Sequence, residues 1–307
     1  MADLPIINLP LLHRDPLAKS SVIKKIRDAC HRYGFFHVVD HGIPDRVIED
    51  ALKVSGEFFQ LPMAEKEELA SDDVCKEVRF CKLEMGEFAR DFLKLYANPL
   101  DHFLASWPRS PPYYREKMGI YSKEVRKLSI ELFGAIVESL NLDNQTNHLQ
   151  KNFEQGLQTL VLNSYAPCSE SDKKIGAPPH TDHSIITVLL QSAPGLEIEN
   201  GETWKNVPNL KGSLQVLVGV HLEVISNGFY KSVLHRAIPS CGDSITRLSI
   251  ASLHNLAIDE VVEPAAELEI DGEDGNSRMY KGSSLRDYLK HLASGEKRGF
   301  IETIKIN

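Results

Sequence analysis

Between Leu157 and Ala251 the chain breaks into short runs of β-branched and aliphatic residues. They are Thr159-Leu160-Val161-Leu162, Ile185 to Leu190, Leu214 to Val218 and Leu248-Ser249-Ile250-Ala251, cut apart by Gly, Pro and Asn. Runs of this kind bounded by turn residues read as strands. A series of them has to bury its apolar faces against one another, so the pattern predicts a barrel or jelly roll.

The flanks read differently. Residues 4–12 form a short strand broken by Pro10, and Ser20 to Ala29 carries apolar positions at helical spacing. Gly34 ends that helix, Phe35 to Val39 is a strand, and His41-Gly42-Ile43-Pro44 turns into a second amphipathic helix near Val47 to Phe59. Residues 60–100 read as charged and irregular. Trp107 to Pro112 punctuates the chain before a long helix from about Tyr114 to Leu140, and Gly282 to Ala293 returns to helix. The expected organisation is one compact unit: a mixed α/β region over 1–110, helical support over 111–154, the β core over 155–262 and a helical tail over 263–307. The fold class is mainly β with flanking helices. No internal repeat or low-complexity stretch interrupts it.

Charge narrows the partners. Lys and Arg total 35 against 43 Asp and Glu, a formal net charge of -8, which offers nothing to nucleic-acid phosphates or anionic lipid. No stretch approaches the ~20 apolar residues of a membrane span, and MADLPIINLPLL lacks a basic segment leading into an apolar one. Cys30, Cys75, Cys81, Cys168 and Cys241 are odd in number and scattered, which fits reduced thiols rather than a disulfide framework. These features point to a cytoplasmic protein acting on a small molecule, and the lack of a heptad pattern favours a monomer.

His180-Thr181-Asp182 precedes a strand-like run, and residues i and i+2 of an extended chain project to one side. With His235 they supply two imidazoles and a carboxylate, a donor set that leaves coordination positions open on iron(II). The bare pattern does not choose, because His13-Arg14-Asp15 and His221-Leu222-Glu223 match it too. His13 sits in a polar connection and reads as a solvated residue, and His221 alternates with apolar residues as a barrel strand would. Arg247-Leu248-Ser249 discriminates. Its guanidinium and hydroxyl share a strand face, which lies after His235 by a turn and an adjacent strand and suits a carboxylate held bidentately.

The chain resembles the plant 2-oxoglutarate- and Fe(II)-dependent dioxygenases. The resemblance rests on His180-Thr181-Asp182-His183-Ser184 with Thr187 to Gln191, on Ser226 to Arg236, and on Arg247 to Ala251. Gly34-Phe35-Phe36, His41 to Pro44, Asn163-Ser164-Tyr165, Ala166-Pro167-Cys168 and the Tyr280-Lys281 to Tyr288-Leu289 tail extend it over essentially the whole chain. It implies a double-stranded β-helix (jelly roll) in which His180, Asp182 and His235 bind iron. Arg247 and Ser249 would take the distal carboxylate of 2-oxoglutarate, Tyr165 would help to anchor it, and Asn163 would lie close to metal and cosubstrate. Two departures stand out: Gly219-Val220 where the family usually has Gly-Asp before a strand, and Leu253 where relatives commonly carry a pocket Phe.

The resemblance implies an oxidoreductase using Fe(II), 2-oxoglutarate and O2, with ascorbate as reductant, that hydroxylates or desaturates its acceptor. Arg90 to Tyr96 and Trp107 to Pro112 resemble the subgroup of flavone synthase I, flavanone hydroxylases and enzymes of the downy-mildew-resistance type. Phe92 and Lys94 would then stack on and hydrogen-bond a phenolic ring, with Phe80, Leu253 and Asn255 nearby. The expected substrate is a plant phenolic, first a flavanone such as naringenin, with flavone formation ahead of 3-hydroxylation. Salicylate or hormone hydroxylation, a catalytically silent jelly-roll binding protein, and an oxygenase acting on nucleic acid are the alternatives.

Overall fold

The computed structural model describes residues 4–142, 146–167, 175–201, 203–239, 245–268 and 277–306. In chain order its elements are β1 (Ile6–Asn8), α1 (Pro16–Arg32), β2 (Phe35–Val39), α2 (Asp45–Gln60), α3 (Met63–Glu67), β3 (Val78–Met85), β4 (Phe88–Asn98) and α4 (Leu100–Phe103). There follow α5 (Tyr114–Leu140), α6 (Thr146–Gln155), β5 (Gln158–Tyr165), β6 (Ala177–His180), β7 (Ile186–Gln191), β8 (Leu196–Asn200), β9 (Thr203–Val207) and β10 (Ser213–Val218). The chain closes with α7 (Val220–Ile225), β11 (His235–Ala237), β12 (Arg247–His254), α8 (Leu285–Ser294) and α9 (Phe300–Ile304).

Two sheets make the core. The larger has the order β1-β2-β10-β7-β12-β5-β4-β3 and the smaller β6-β11-β8-β9. Among the strands of the described residues, every strand pairing is antiparallel except β1 with β2. The alternation of a strand divides the larger sheet cleanly. Leu160, Leu162, Val188, Leu190, Val216 and Ile250 face outward into the main core, with residues of α1, α2 and α5 such as Ile26, Phe58 and Leu132. Residues of opposite parity on the same strands, among them Val161, Asn163, Leu189, Ser249 and Ala251, line a cavity whose other wall comes from the smaller sheet. Each outward aliphatic contributes about 1.5–3 kcal/mol by burial, which leaves the inward positions free for polar chemistry.

Three sequence expectations need correction. Residues 60–100 are not irregular throughout, since β3 and β4 form a long hairpin pairing Val78 with Leu95 through to Met85 with Phe88. Their alternation is masked because one face of the hairpin lines the cavity and carries charge. His221 lies in helix α7 rather than a strand. All six residues of α7 are buried, so apolar periodicity says nothing about its conformation. Arg247 does not follow His235 on an adjacent strand either, because β11 and β12 belong to different sheets. Cys30, Cys75 and Cys81 are free thiols; Cys168 and Cys241 lie outside the described residues.

Candidate active site

The register of β6 with β11 places His180 directly opposite His235. The chain leaves β6 after His180, and Asp182 closes the group: one ligand atom from each of the three residues lies within 4.8 Å of the others. Nδ1 of His180 is 2.7 Å from the carbonyl oxygen of Pro178 and Nδ1 of His235 is 3.0 Å from that of Val233. With the ring proton donated there, each Nε2 keeps its lone pair. Both Nε2 atoms face Asp182 Oδ1, at 3.7 and 3.9 Å.

Electrostatics favour the ligating forms. Burial pushes the His180 pKa down to about 4, helped by His235, so its imidazole is neutral near pH 7. Burial acts to raise Asp182, but His235, His180 and a hydrogen bond from Thr187 outweigh it and hold the carboxyl below its usual range. The donor set, the converging lone pairs and the open cavity side fit a divalent iron that keeps coordination positions free.

Val220 resolves the first sequence departure. Its backbone N–H donates to the Asp182 carbonyl at 2.8 Å, and His221 N–H donates to Ser184. The start of α7 therefore fixes the metal-site loop through the main chain, whatever side chain stands at 220. Gly219 permits this approach, since a Cβ there would lie 1.9 Å from the Ser184 carbonyl oxygen.

Across the cavity, Arg247 pairs with Tyr165 and Ser249 with Asn163, opposite each other on β12 and β5. Arg247 is 1% exposed. Its Nη2 donates to Gln191 Oε1 at 2.8 Å and its Nε to the Ala193 carbonyl at 3.2 Å, and the guanidinium lies 4.7 Å from the Tyr165 ring centroid. Nη1 is buried without a partner, and among the described residues no carboxylate pairs with this charge. A buried guanidinium N–H left unpaired is costly unless an anion completes it, so the pocket fits the carboxylate of a dicarboxylic acid. Asn163 Nδ2 donates to Ser249 Oγ at 3.3 Å, and Gly195 admits Arg247, because a Cβ there would stand 2.7 Å from Nε.

Phe92, Lys94 and Leu253 line the same cavity. Lys94 Nζ donates to the Val74 carbonyl at 2.7 Å, and burial, with Arg79 second, lowers its pKa to about 8. Phe80 and Asn255 do not line the cavity. Phe80 pairs with Leu93 on the opposite face of the hairpin and packs 6.2 Å from Phe58 in the core. Asn255 lies beyond the end of β12, where its backbone N–H donates to Leu157, and the fully buried side chain stands by His221. His13 is exposed and contacts Glu131 at 2.7 Å, while Asp15 caps α1; neither approaches a metal site.

Sequence reasoning missed Arg79, Arg90, Thr187, Tyr288, Leu289 and Leu292, which also line the cavity. Arg90 shares strand parity with Phe92 and Lys94, a signal that required reading the segment as a strand. Leu285, Tyr288, Leu289 and Leu292 follow helical spacing on α8 and present one apolar face. Tyr288 stacks on His183 with centroids 4.0 Å apart.

Residues 156–256 match the model of the 2OG-Fe(II) oxygenase superfamily, and residues 4–108 match that of the non-haem dioxygenase in morphine synthesis N-terminal region. The chain is 42% identical to 2-oxoglutarate-dependent dioxygenase 21, chloroplastic, of Oryza sativa subsp. japonica, over 99% of this chain and 91% of that protein. It is 40% identical to flavanone 3-dioxygenase 3 of the same organism, over 99% and 93%. A crystal structure of JOX2 in complex with 2OG, Fe and JA superimposes with a TM-score of 0.86 at 27% identity, covering 99% of this chain and 89% of that one.

Proposed function

The chain belongs to the 2OG-Fe(II) oxygenase superfamily as a 2-oxoglutarate-dependent dioxygenase, and from that premise we propose that it oxidises a phenolic acceptor, first a flavanone such as naringenin. His180, Asp182 and His235 hold the iron. Arg247 and Ser249 hold the distal carboxylate of 2-oxoglutarate, with Tyr165 against the guanidinium and Asn163 beside Ser249. Together iron and cosubstrate supply the oxidising power, O2 being consumed and 2-oxoglutarate leaving as succinate and carbon dioxide while the acceptor is hydroxylated or desaturated. The chain's own part is positioning, since reaction at one carbon requires the acceptor to be held still.

The phenolic reading rests on Phe92. Its ring lines the cavity shared with the metal donors, beside the apolar Leu253, Leu289 and Leu292, and an aromatic face of this kind receives an aromatic ring by offset stacking. Leu253, smaller than the Phe common in relatives, widens the pocket. The 40% identity to a flavanone 3-dioxygenase supports a flavanone as the first compound to test.

Iron-loaded protein with 2-oxoglutarate and ascorbate should release succinate in proportion to flavanone converted, and His235→Ala should not. Product mass separates desaturation, which we place first, from hydroxylation. Failure of every flavanone rejects that assignment. We further propose a monomer in the cytoplasm. Among the described residues no helix is long and apolar enough to cross a membrane; a fluorescent fusion tests the compartment, since one rice relative is named chloroplastic, and light scattering tests the monomer.

A further inference from the structure

The β3–β4 hairpin brings a set of cations to the acceptor side of the cavity. Arg90, Phe92 and Lys94 alternate on one face of β4, and Arg79 is the direct cross-strand partner of Lys94. Two guanidinium groups approach the Phe92 ring, Arg79 at 5.5 Å and Arg90 at 5.1 Å from its centroid. Like charges directly opposite on neighbouring strands repel, and Arg79 and Lys94 are such a pair, both half-buried.

Among the described residues no carboxylate forms an ion pair with Arg79 or Lys94. Arg79 Nε donates to the Ser71 carbonyl, Lys94 Nζ to that of Val74, and Arg90 Nη1 to Asn163 Oδ1, all of them neutral acceptors. Asp73 and Glu77 act on Lys94 from the exposed side of the loop, yet among the described residues neither forms an ion pair with it. Among the described residues Asp182 is the only carboxylate lining the cavity. A divalent metal and Asp182 together offset the dianionic cosubstrate and Arg247, which leaves the hairpin cations unbalanced.

Resting on the phenolic reading above, we propose that the acceptor binds as an anion, its ring on Phe92 and its charged oxygen between Arg79 and Lys94. Arg90, bonded to Asn163, stands at the opposite end of Phe92, beside the cosubstrate residues. A carboxylate or an ionised phenol meets this requirement, and a flavanone meets it only through an ionised hydroxyl. Lys94, with two ammonium protons left after Val74, and Arg79, with its terminal nitrogens, supply the donors.

Two matched pairs test this on the iron-loaded enzyme: a flavanone against its fully O-methylated derivative, and a hydroxybenzoate against the amide of its O-methyl ether. In whichever pair is oxidised, kcat/KM for the ionisable member should exceed that of the neutral one at least tenfold. That ratio should collapse toward one in the double variant Arg79→Gln/Lys94→Met, mainly through KM, and return with Arg79 restored and Lys94→Arg. The ratio is internal to each variant, so a general loss of activity does not imitate it. Equal rates within a pair, or a gap that persists in the double variant, would overturn the anion site while leaving the phenolic reading intact. If neither pair is oxidised the phenolic reading fails, and calorimetric binding of the four compounds decides the anion site alone: preference for the ionisable members, lost in the double variant, upholds it, and equal or absent binding overturns it.

Discussion

Replacing Arg247 by Met separates an anion-binding arginine from a structural one. In the cosubstrate-free protein, Arg247 is a cation 1% exposed whose Nη1 has no partner. Met fills similar volume without charge. It forfeits the bonds to Gln191 and Ala193, each about 1 kcal/mol net, and recovers the desolvation cost of a buried charge. These terms nearly cancel, so the Tm of the cosubstrate-free protein should move by no more than a few degrees, at about 2 °C per kcal/mol for a chain of this size. Binding of 2-oxoglutarate should suffer far more. Truncating one partner of a buried, hydrogen-bonded charge pair costs about 2–5 kcal/mol, roughly 30-fold to several-thousand-fold in affinity. The assays are the KM for 2-oxoglutarate and the rise in Tm that saturating 2-oxoglutarate gives the iron-loaded enzyme. An Arg247→Met protein with a KM within threefold of the parent would refute the reasoning, as would a loss of more than 10 °C without cosubstrate.

His235→Ala should lose tightly bound iron, measured by elemental analysis, together with succinate release, as should chelation of the parent enzyme. Phe80→Ala should cost about 3–5 kcal/mol of stability by denaturant titration, with kcat/KM unchanged at a temperature where the protein is folded, because Phe80 packs on Phe58 outside the cavity. His37 is buried on β2 with its folded pKa pushed down to about 4 by desolvation. A histidine neutral when folded and charged when unfolded makes stability fall as pH drops from 6.5 toward 4, by up to about 3 kcal/mol. His37→Leu should flatten that slope by one proton, seen in Tm against pH on metal-free protein.

The strands β5, β7, β10 and β12 were legible in the sequence because burial on one or both sides demands the aliphatic residues they carry. The grouping of His180, Asp182 and His235 was legible in residue type and spacing, although Asp182 lies past the end of β6 and not at a strand position. The β3–β4 hairpin was hidden by its function, since Arg79, Arg90 and Lys94 face a polar cavity and imitate a solvated loop. Phe80 was misplaced by one step of parity: Arg79 faces the cavity and Phe80 the core. Asn255 keeps the parity of Leu253 on paper, but β12 ends at His254 and the chain turns away. Helix α7 could not be told from a strand because every one of its side chains is buried.

Both metal-facing histidines are aimed by a carbonyl two residues earlier in their own chain segment, Pro178 for His180 and Val233 for His235. The rings therefore carry their orientation with them, and assembling the pair reduces to one alignment, β6 against β11. The register shifts by one residue between the His180–His235 and Ala177–Ala237 pairs, so the alignment that seats the histidines is set locally. A slip of one residue would send one imidazole to the far side of the smaller sheet and dismantle the centre without breaking a single side-chain contact within either strand.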